Sequence, residues 1–76
     1  MKYSYDYKNL QIKILENNMK LKDLANALNI SKAALSKKIN NQTGFTQDQI
    51  LKTISILKIE PEEIHNIFFK EKVKVL

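Results

Sequence analysis

The clearest hydrophobic pattern in the chain lies between residues 21 and 39. Apolar residues recur there at the i, i+3, i+4, i+7 spacing that places side chains on one face of a helix. These residues are Leu21, Leu24, Ala25 and Leu28. Leu35 and Ile39 then repeat four residues apart, which is the same helical spacing on a second, shorter segment. The pattern predicts two short amphipathic helices in succession.

The three residues between these segments have the chemistry of a tight turn. Asn29 tolerates the left-handed backbone that often ends a helix. Ile30 provides an apolar side chain inside the turn, and the Ser31 hydroxyl can accept a hydrogen bond from an amide at the start of the next helix. The sequence therefore predicts a helix–turn–helix unit at about residues 21–39.

A first helix is predicted from about Tyr7 to Asn17, before this unit. Leu10 and Ile14 are spaced to form its core face, helped by Tyr7 and Leu15. The Asn17-Asn18 pair ends it, because asparagine favours turns and left-handed backbone.

Two further helices are predicted after the polar loop at residues 40–44. Thr46 and Gln49 have the spacing of a capping box, which opens a fourth helix. Pro61, followed by two glutamates, is typical of the first turn of a fifth. The apolar residues expected to face inward are Ile50, Ile54 and Leu57 in the fourth helix and Ile64, Ile67 and Phe68 in the fifth.

Length and composition fit a single all-α domain. Seventy-six residues with 43% apolar content, one glycine and one proline can build one compact core. We predict five helices within a domain at residues 1–69, followed by a charged tail at residues 70–76. The absence of cysteine excludes disulfides and thiolate metal sites, and no secretion signal or membrane-spanning run is visible. These features predict a cytoplasmic protein with no membrane association.

The net charge of +5 comes entirely from lysine, since the chain has no arginine. Residues 19–45 carry five lysines against one aspartate, whereas residues 46–69 carry two lysines against four acids. The positive charge is therefore concentrated on the predicted helix–turn–helix unit. A clustered positive charge indicates an anionic partner.

The unit also resembles a known motif. Leu24-Ala25, Leu28-Asn29-Ile30-Ser31 and Leu35-Ser36 resemble the helix-turn-helix of the XRE/Cro family of phage-type repressors. The small Cro-like proteins of phages of low-GC Gram-positive hosts are the subfamily that this chain most resembles, in residues 35–41, residues 43–46 and the ending from Glu62 to Phe69. The resemblance implies a five-helix, lambda-repressor-like fold. It also implies a transcriptional regulator that inserts its third helix into the major groove of double-stranded operator DNA, as expected in a phage lysis–lysogeny switch.

Two sets of candidate DNA contacts follow from this resemblance. Residues at base-contacting positions are Lys32, Ala33, Ser36 and Lys37. Residues at phosphate-contacting positions are Lys20, Lys22, Ser31, Asn40, Gln42 and Thr43. The family often has glutamine where this chain has Leu21, and leucine cannot donate a hydrogen bond to a phosphate. For any single lysine, and for the loop residues, a solvated surface or ordinary turn chemistry is the alternative.

Leu21 and the lack of arginine keep a second hypothesis open. In it the chain is an anti-repressor or modulator that binds a partner repressor protein. An antitoxin is a third. We expect neither an enzyme nor a cofactor or metal site: His65 is the only histidine, and the acids near Pro61 are explained by a helix start.

The end of the chain is the candidate surface for a homodimer on DNA or for a partner repressor. Phe68 and Phe69 lie about 100° apart on a helix, so we expect one of them to be exposed. Val73 and Val75 alternate before Leu76, a spacing that suits strand addition to a partner. A frayed terminus is the alternative.

Overall fold

The computed structural model describes residues 4–72 and is all-helical. Its α-helices are α1 (Lys8–Glu16), α2 (Leu21–Ala27), α3 (Lys32–Ile39), α4 (Gln47–Leu57) and α5 (Ile64–Phe68), with a 3₁₀ turn at Pro61–Glu63 before the last. The five predicted helices are confirmed. Within residues 4–72 the only extended pairing is a single bridge between Tyr5 and Glu71.

All five helices contribute to one core. Its buried apolar residues are Tyr7, Leu10, Ile14, Leu24, Ala25, Leu28, Leu35, Ile39, Leu57, Ile59, Ile67 and Phe68. Each of the two helical patterns at residues 21–39 supplies buried members of this set. The sequence did not indicate Thr53 as a core residue, but it is fully buried. Its Oγ1 donates to the Gln49 carbonyl at 2.7 Å, which offsets the cost of burying the hydroxyl.

Four helices end in a residue with left-handed backbone. These residues are Asn18, Asn29, Asn41 and Lys58, with φ between 54° and 64°. The next amide then donates to a carbonyl five residues earlier, as Ile30 N does to Ala25 O at 3.0 Å. This arrangement satisfies carbonyls that a helix end leaves unpaired. The left-handed turn predicted at Asn29 is confirmed and is repeated elsewhere in the chain.

Two predicted helix starts are also confirmed. The Ser31 Oγ accepts from the Ala34 amide at 3.0 Å at the start of α3. Thr46 and Gln49 form a reciprocal capping box at the start of α4. Because the groups that form each cap are within three residues of one another, the sequence alone was enough to locate them.

Two predictions about exposure need correction. Leu15 was predicted to support the core face of the first helix, but it is 70% exposed. α1 buries only Leu10 and Ile14, and Leu15 follows directly after Ile14, about 100° further around the helix. Phe68 was offered as a partner contact, but it is 2% exposed and packs into the core of its own chain, while Phe69 is 41% exposed.

The two ends of the described chain are joined. Asp6 N donates to Lys70 O at 2.7 Å, and Lys72 N donates to Ser4 O at 2.9 Å, on either side of the Tyr5–Glu71 bridge. Residues 70–72 of the predicted tail are therefore paired with the N-terminal segment of the same chain. Val73, Val75 and Leu76 lie outside the described residues.

Candidate functional site

The packing of α2 against α3 determines which side of α3 faces outward. Leu24 of α2 and Leu28, which directly follows α2, are buried in the core. Leu35 and Ile39 of α3 are buried against them. Since side chains three and four residues apart share a helix face, the remaining residues of α3 lie on its solvent side. This side of α3 is the centre of the candidate site.

Three of the four base-contact candidates are exposed on that side. Lys32, Ala33 and Lys37 are exposed, and Ser36 is half-buried. No acidic residue occurs between Asp23 and Asp48 in the sequence, so nothing in this stretch of chain neutralises these lysines. The structure thus presents a small, basic helix surface to an external partner.

The start of α2 is less suited to bind phosphate. Lys20 and Lys22, two of the phosphate-contact candidates, are exposed there. However, the Lys20 amide donates to the Asp23 carboxylate at 2.8 Å. A carboxylate at this position satisfies a donor at the helix start and repels a phosphate that approaches it. Leu21, the next residue, has no side-chain donor for a phosphate, so it also makes the start of α2 less suited to bind one.

The loop after α3 brings the other predicted phosphate contacts close to its C-terminus. Asn40, Gln42 and Thr43 are exposed. The Gln42 amide is used internally, since it donates to Lys37 O at 2.8 Å. These three residues therefore offer side chains to a partner. Ser31 accepts a hydrogen bond within α3 and keeps its hydroxyl proton available as a donor.

Lys38 connects α3 to this loop, a role that the sequence did not indicate. Its Nζ donates to the Gly44 carbonyl at 2.9 Å and lies 6.0 Å from the centre of the Phe45 ring. The interaction fixes one wall of the loop and leaves a positive charge at its edge. The sequence predicted that Lys37 faces outward, but it did not indicate the contact of Lys38, since this depends on where the loop returns.

Asn41 is the second contact that the sequence did not predict. Its side-chain oxygen accepts from the Tyr5 amide at 2.8 Å, and its side-chain nitrogen donates to the Tyr5 carbonyl at 2.9 Å. The amide thus pairs with Tyr5 as a neighbouring strand would, on the edge opposite Glu71. The Asn40-Asn41 doublet signals a turn, but nothing local identifies Tyr5 as the partner.

A groove of about 430 Å³ lies beside this contact. Five of its eleven lining residues are aromatic, and the loop after α3 forms one side. The lining residues are Ser4, Tyr5, Tyr7, Asn41, Gln42, Thr43, Gly44, Phe45, Ile50, Phe68 and Phe69. Burial of the Tyr7 hydroxyl raises its pKa, with a smaller contribution from Tyr5, so this group is held neutral.

A second region, between α1 and the 3₁₀ turn, is acidic. Lys13 Nζ lies 2.9 Å from Glu63 Oε2 and 3.6 Å from Glu16 Oε1. The hydrogen bond with Glu63 is the largest cause of a raised pKa at Lys13, and the same bond, followed by that from the Glu60 amide, lowers the pKa of Glu63. This ion pair joins α1 to the 3₁₀ turn at Pro61–Glu63. Neither of these elements belongs to the basic surface of α3.

No cluster of three or more histidine, cysteine, aspartate or glutamate side chains occurs among residues 4–72 in an arrangement that could hold a metal ion. Within the same residues, no helix is long and apolar enough to cross a membrane.

The fold and the surface of α3 together define a small all-helical domain built around a helix–turn–helix unit. The chain belongs to the family described as protein of unknown function (DUF739), whose model matches residues 3–71. Membership of the XRE/Cro family stays a prediction.

The fold is also similar to a solved phage protein. This is the modulator of repression (MOR) of the temperate bacteriophage TP901-1 from Lactococcus lactis, known from its solution structure. The sequences are 35% identical, the match covers 93% of this chain and 96% of that one, and the TM-score is 0.73. Among curated proteins, no sequence matches this chain significantly.

Proposed function

We propose that this protein regulates a temperate phage by modulating repression, and that it does so by binding a repressor protein. The observation that carries the proposal is the similarity to a phage modulator of repression, at 35% identity over 93% of the chain. The proposed role is binding, without catalysis.

The surface of the helix–turn–helix unit supports a protein partner over DNA alone. The Asp23 carboxylate lies at the start of α2, where a DNA-binding protein would hold a phosphate. Leu21 is half-buried and has no donor to offer. The chain has no arginine, the residue best suited to bidentate recognition of guanine and phosphate.

A mobility-shift experiment tests this proposal. The labelled duplex is the DNA flanking the gene for this chain. It is combined with the repressor of the phage that carries this gene, with this chain, or with both. We expect this chain to change the affinity or mobility of the repressor–DNA complex while binding the duplex weakly by itself. A repressor–DNA complex that does not respond to a large excess of the chain would contradict the proposal.

Sequence-specific binding of operator DNA is the second candidate, favoured by the exposed Lys32, Ala33 and Lys37 on α3. In this case affinity should fall steeply with salt, because each neutralised phosphate releases condensed counterions. Roughly four to six contacts per protomer would give a log–log slope of about −4 to −5. A flat salt response would exclude this candidate.

Variants of single lysines separate base reading from phosphate contact. Lys32→Ala or Lys37→Ala should cost about 1–3 kcal/mol on the cognate site and less on random DNA. Lys20→Ala should weaken both to a similar extent. Lys52→Ala is the matched control, since Lys52 lies on α4 and pairs with Asp48.

A further inference from the structure

The aromatic groove beside the loop after α3 has features of a docking surface for a protein rather than for a nucleic acid. Tyr5 and Phe45 are half-buried and Phe69 is 41% exposed, so apolar ring surface is open to solvent at its mouth. Exposed aromatic rings in a concave site are typical of the anchor positions of protein interfaces. No lysine or arginine is among the residues that line the groove, so a phosphate seated between the rings would lose its hydration without a direct ion pair.

The walls of the groove are held in place by contacts between distant parts of the chain. Phe45 packs edge-on against Tyr7 and Phe68, with ring centres 5.3 and 5.7 Å apart. Phe69 packs edge-on against Tyr5 at 6.3 Å. On the loop side, the Asn41 side chain holds the Tyr5 backbone. A groove that is formed before binding costs little ordering entropy when a partner enters.

The described charges at the edge of the groove are positive, and its lining carries no negative charge. On the α3 side, Lys38 donates to Gly44 at the groove edge, and Lys37 is exposed on the helix that leads to it. No carboxylate lies among the lining residues of the groove. Complementarity therefore favours a partner that carries acidic groups next to an apolar side chain.

We propose that this groove binds a segment of a partner protein that inserts one leucine or aromatic side chain between Tyr5, Phe45 and Phe69. Carboxylates of the same segment lie over Lys37 and Lys38. This inference rests on the proposed function in requiring a protein partner, and it adds where that partner binds and what chemistry it presents. The basic end of α3 and the aromatic groove then form one continuous surface.

The first test uses the full chain, labelled with ¹⁵N, and a short synthetic peptide in which one leucine is flanked by glutamates. We expect saturable amide shifts at residues 42–45 and at Phe69. A peptide with lysines in place of the glutamates, and one with serine in place of the leucine, should each bind about tenfold more weakly. The absence of shifts, shifts centred on α1, or equal binding of the lysine peptide would overturn the inference.

The second test compares two exposed apolar residues. Phe69→Ser should weaken peptide binding about tenfold, whereas Leu51→Ser should change it by less than about twofold. Leu51 is the matched control because it is 66% exposed on α4 and is not part of the groove lining. Circular dichroism confirms that each variant is folded. Equal effects of the two substitutions would assign binding to general surface hydrophobicity and overturn the inference.

The repressor mobility-shift experiment distinguishes this inference from the proposed function. If Phe69→Ser modulates the repressor–DNA complex as well as the unmodified chain does, the groove is not the partner site, although the proposed function stands. If the unmodified chain has no effect on the repressor but binds the acidic peptide through Phe69, the proposed function fails and the groove remains a binding surface.

Discussion

The helix–turn–helix unit and the joined chain ends are stabilised in different ways. In α2 and α3, the turn at Asn29 and the cap at Ser31 bond to groups three to five residues away. At the chain ends, Tyr5 is held by Asn41, which is 36 residues distant, and by Glu71, which is farther still. The same residue type, asparagine with φ near 60°, takes part in both.

The difference shows how much of each region depends on the rest of the molecule. Local bonds form with little loss of chain entropy, whereas the contacts of Tyr5 close long loops and require the core to be in place. The chain ends hold one side of the candidate docking groove, and the helix–turn–helix unit presents the basic helix beside it. The combined surface therefore depends on both kinds of stabilisation.

The largest expected effect tests whether the joined ends share the core. Phe68→Ala should lower the free energy of unfolding by about 3–5 kcal/mol, because a fully buried ring that packs against Phe45 is replaced by a cavity. Phe69→Ala is the control and should cost less than about 1 kcal/mol, since its ring is 41% exposed. Urea denaturation measures both. Similar losses for the two variants would mean that the last helix is rotated relative to the core.

The next effect separates the two roles of asparagine. Asn41→Gly keeps the left-handed turn but removes two hydrogen bonds to Tyr5, and should cost about 1–2 kcal/mol. Asn29→Gly keeps a similar turn without such bonds and should lie within about 0.5 kcal/mol of the unmodified chain. Thermal or urea unfolding of both variants measures the difference. If Asn41→Gly is as stable as Asn29→Gly, the bond to Tyr5 contributes nothing.

A somewhat smaller effect concerns the local cap of α3. Ser31→Ala should lower the free energy of unfolding by about 1 kcal/mol, because the Ala34 amide loses its acceptor. Ser31→Asn should retain most of the stability, since asparagine caps equally well. Urea denaturation measures both variants. A loss in Ser31→Asn as large as in Ser31→Ala would point to a role of Ser31 beyond capping.

The smallest effect is the pH dependence of the Lys13–Glu63 pair, which joins α1 to the segment before α5. The pKa of Glu63 is lowered in the folded protein, so the stability from this pair is present above the ordinary pKa near 4.5 and is lost as pH falls through the lower, folded value. Glu63→Gln should remove this part of the acid dependence and keep the bond to the Glu60 amide. Denaturation midpoints between pH 7 and about pH 3 measure the change. Superimposable pH profiles of the two proteins would contradict this prediction.

The helices predicted from spacing along the chain were confirmed, whereas the predicted core face was wrong for Leu15. Five helices followed from apolar periodicity and capping residues. Leu15 showed the limit of this reasoning: it directly follows the buried Ile14, but it lies about 100° further around the helix and is 70% exposed. The exposed lysines of α3 were placed correctly because the buried Leu35 and Ile39 fix the opposite side of the helix.

The sequence by itself determined the helix–turn–helix unit, its turn at Asn29, its cap at Ser31 and the concentration of lysine around it. Each of these depends on residues that are close in the chain, where periodicity and capping chemistry apply directly. Only the tertiary structure decided that Asn41 pairs with Tyr5, that Lys38 reaches Gly44, and that Phe69 lies open beside Phe45. Those contacts join segments whose proximity depends on how the whole core packs, and no local pattern contains that information.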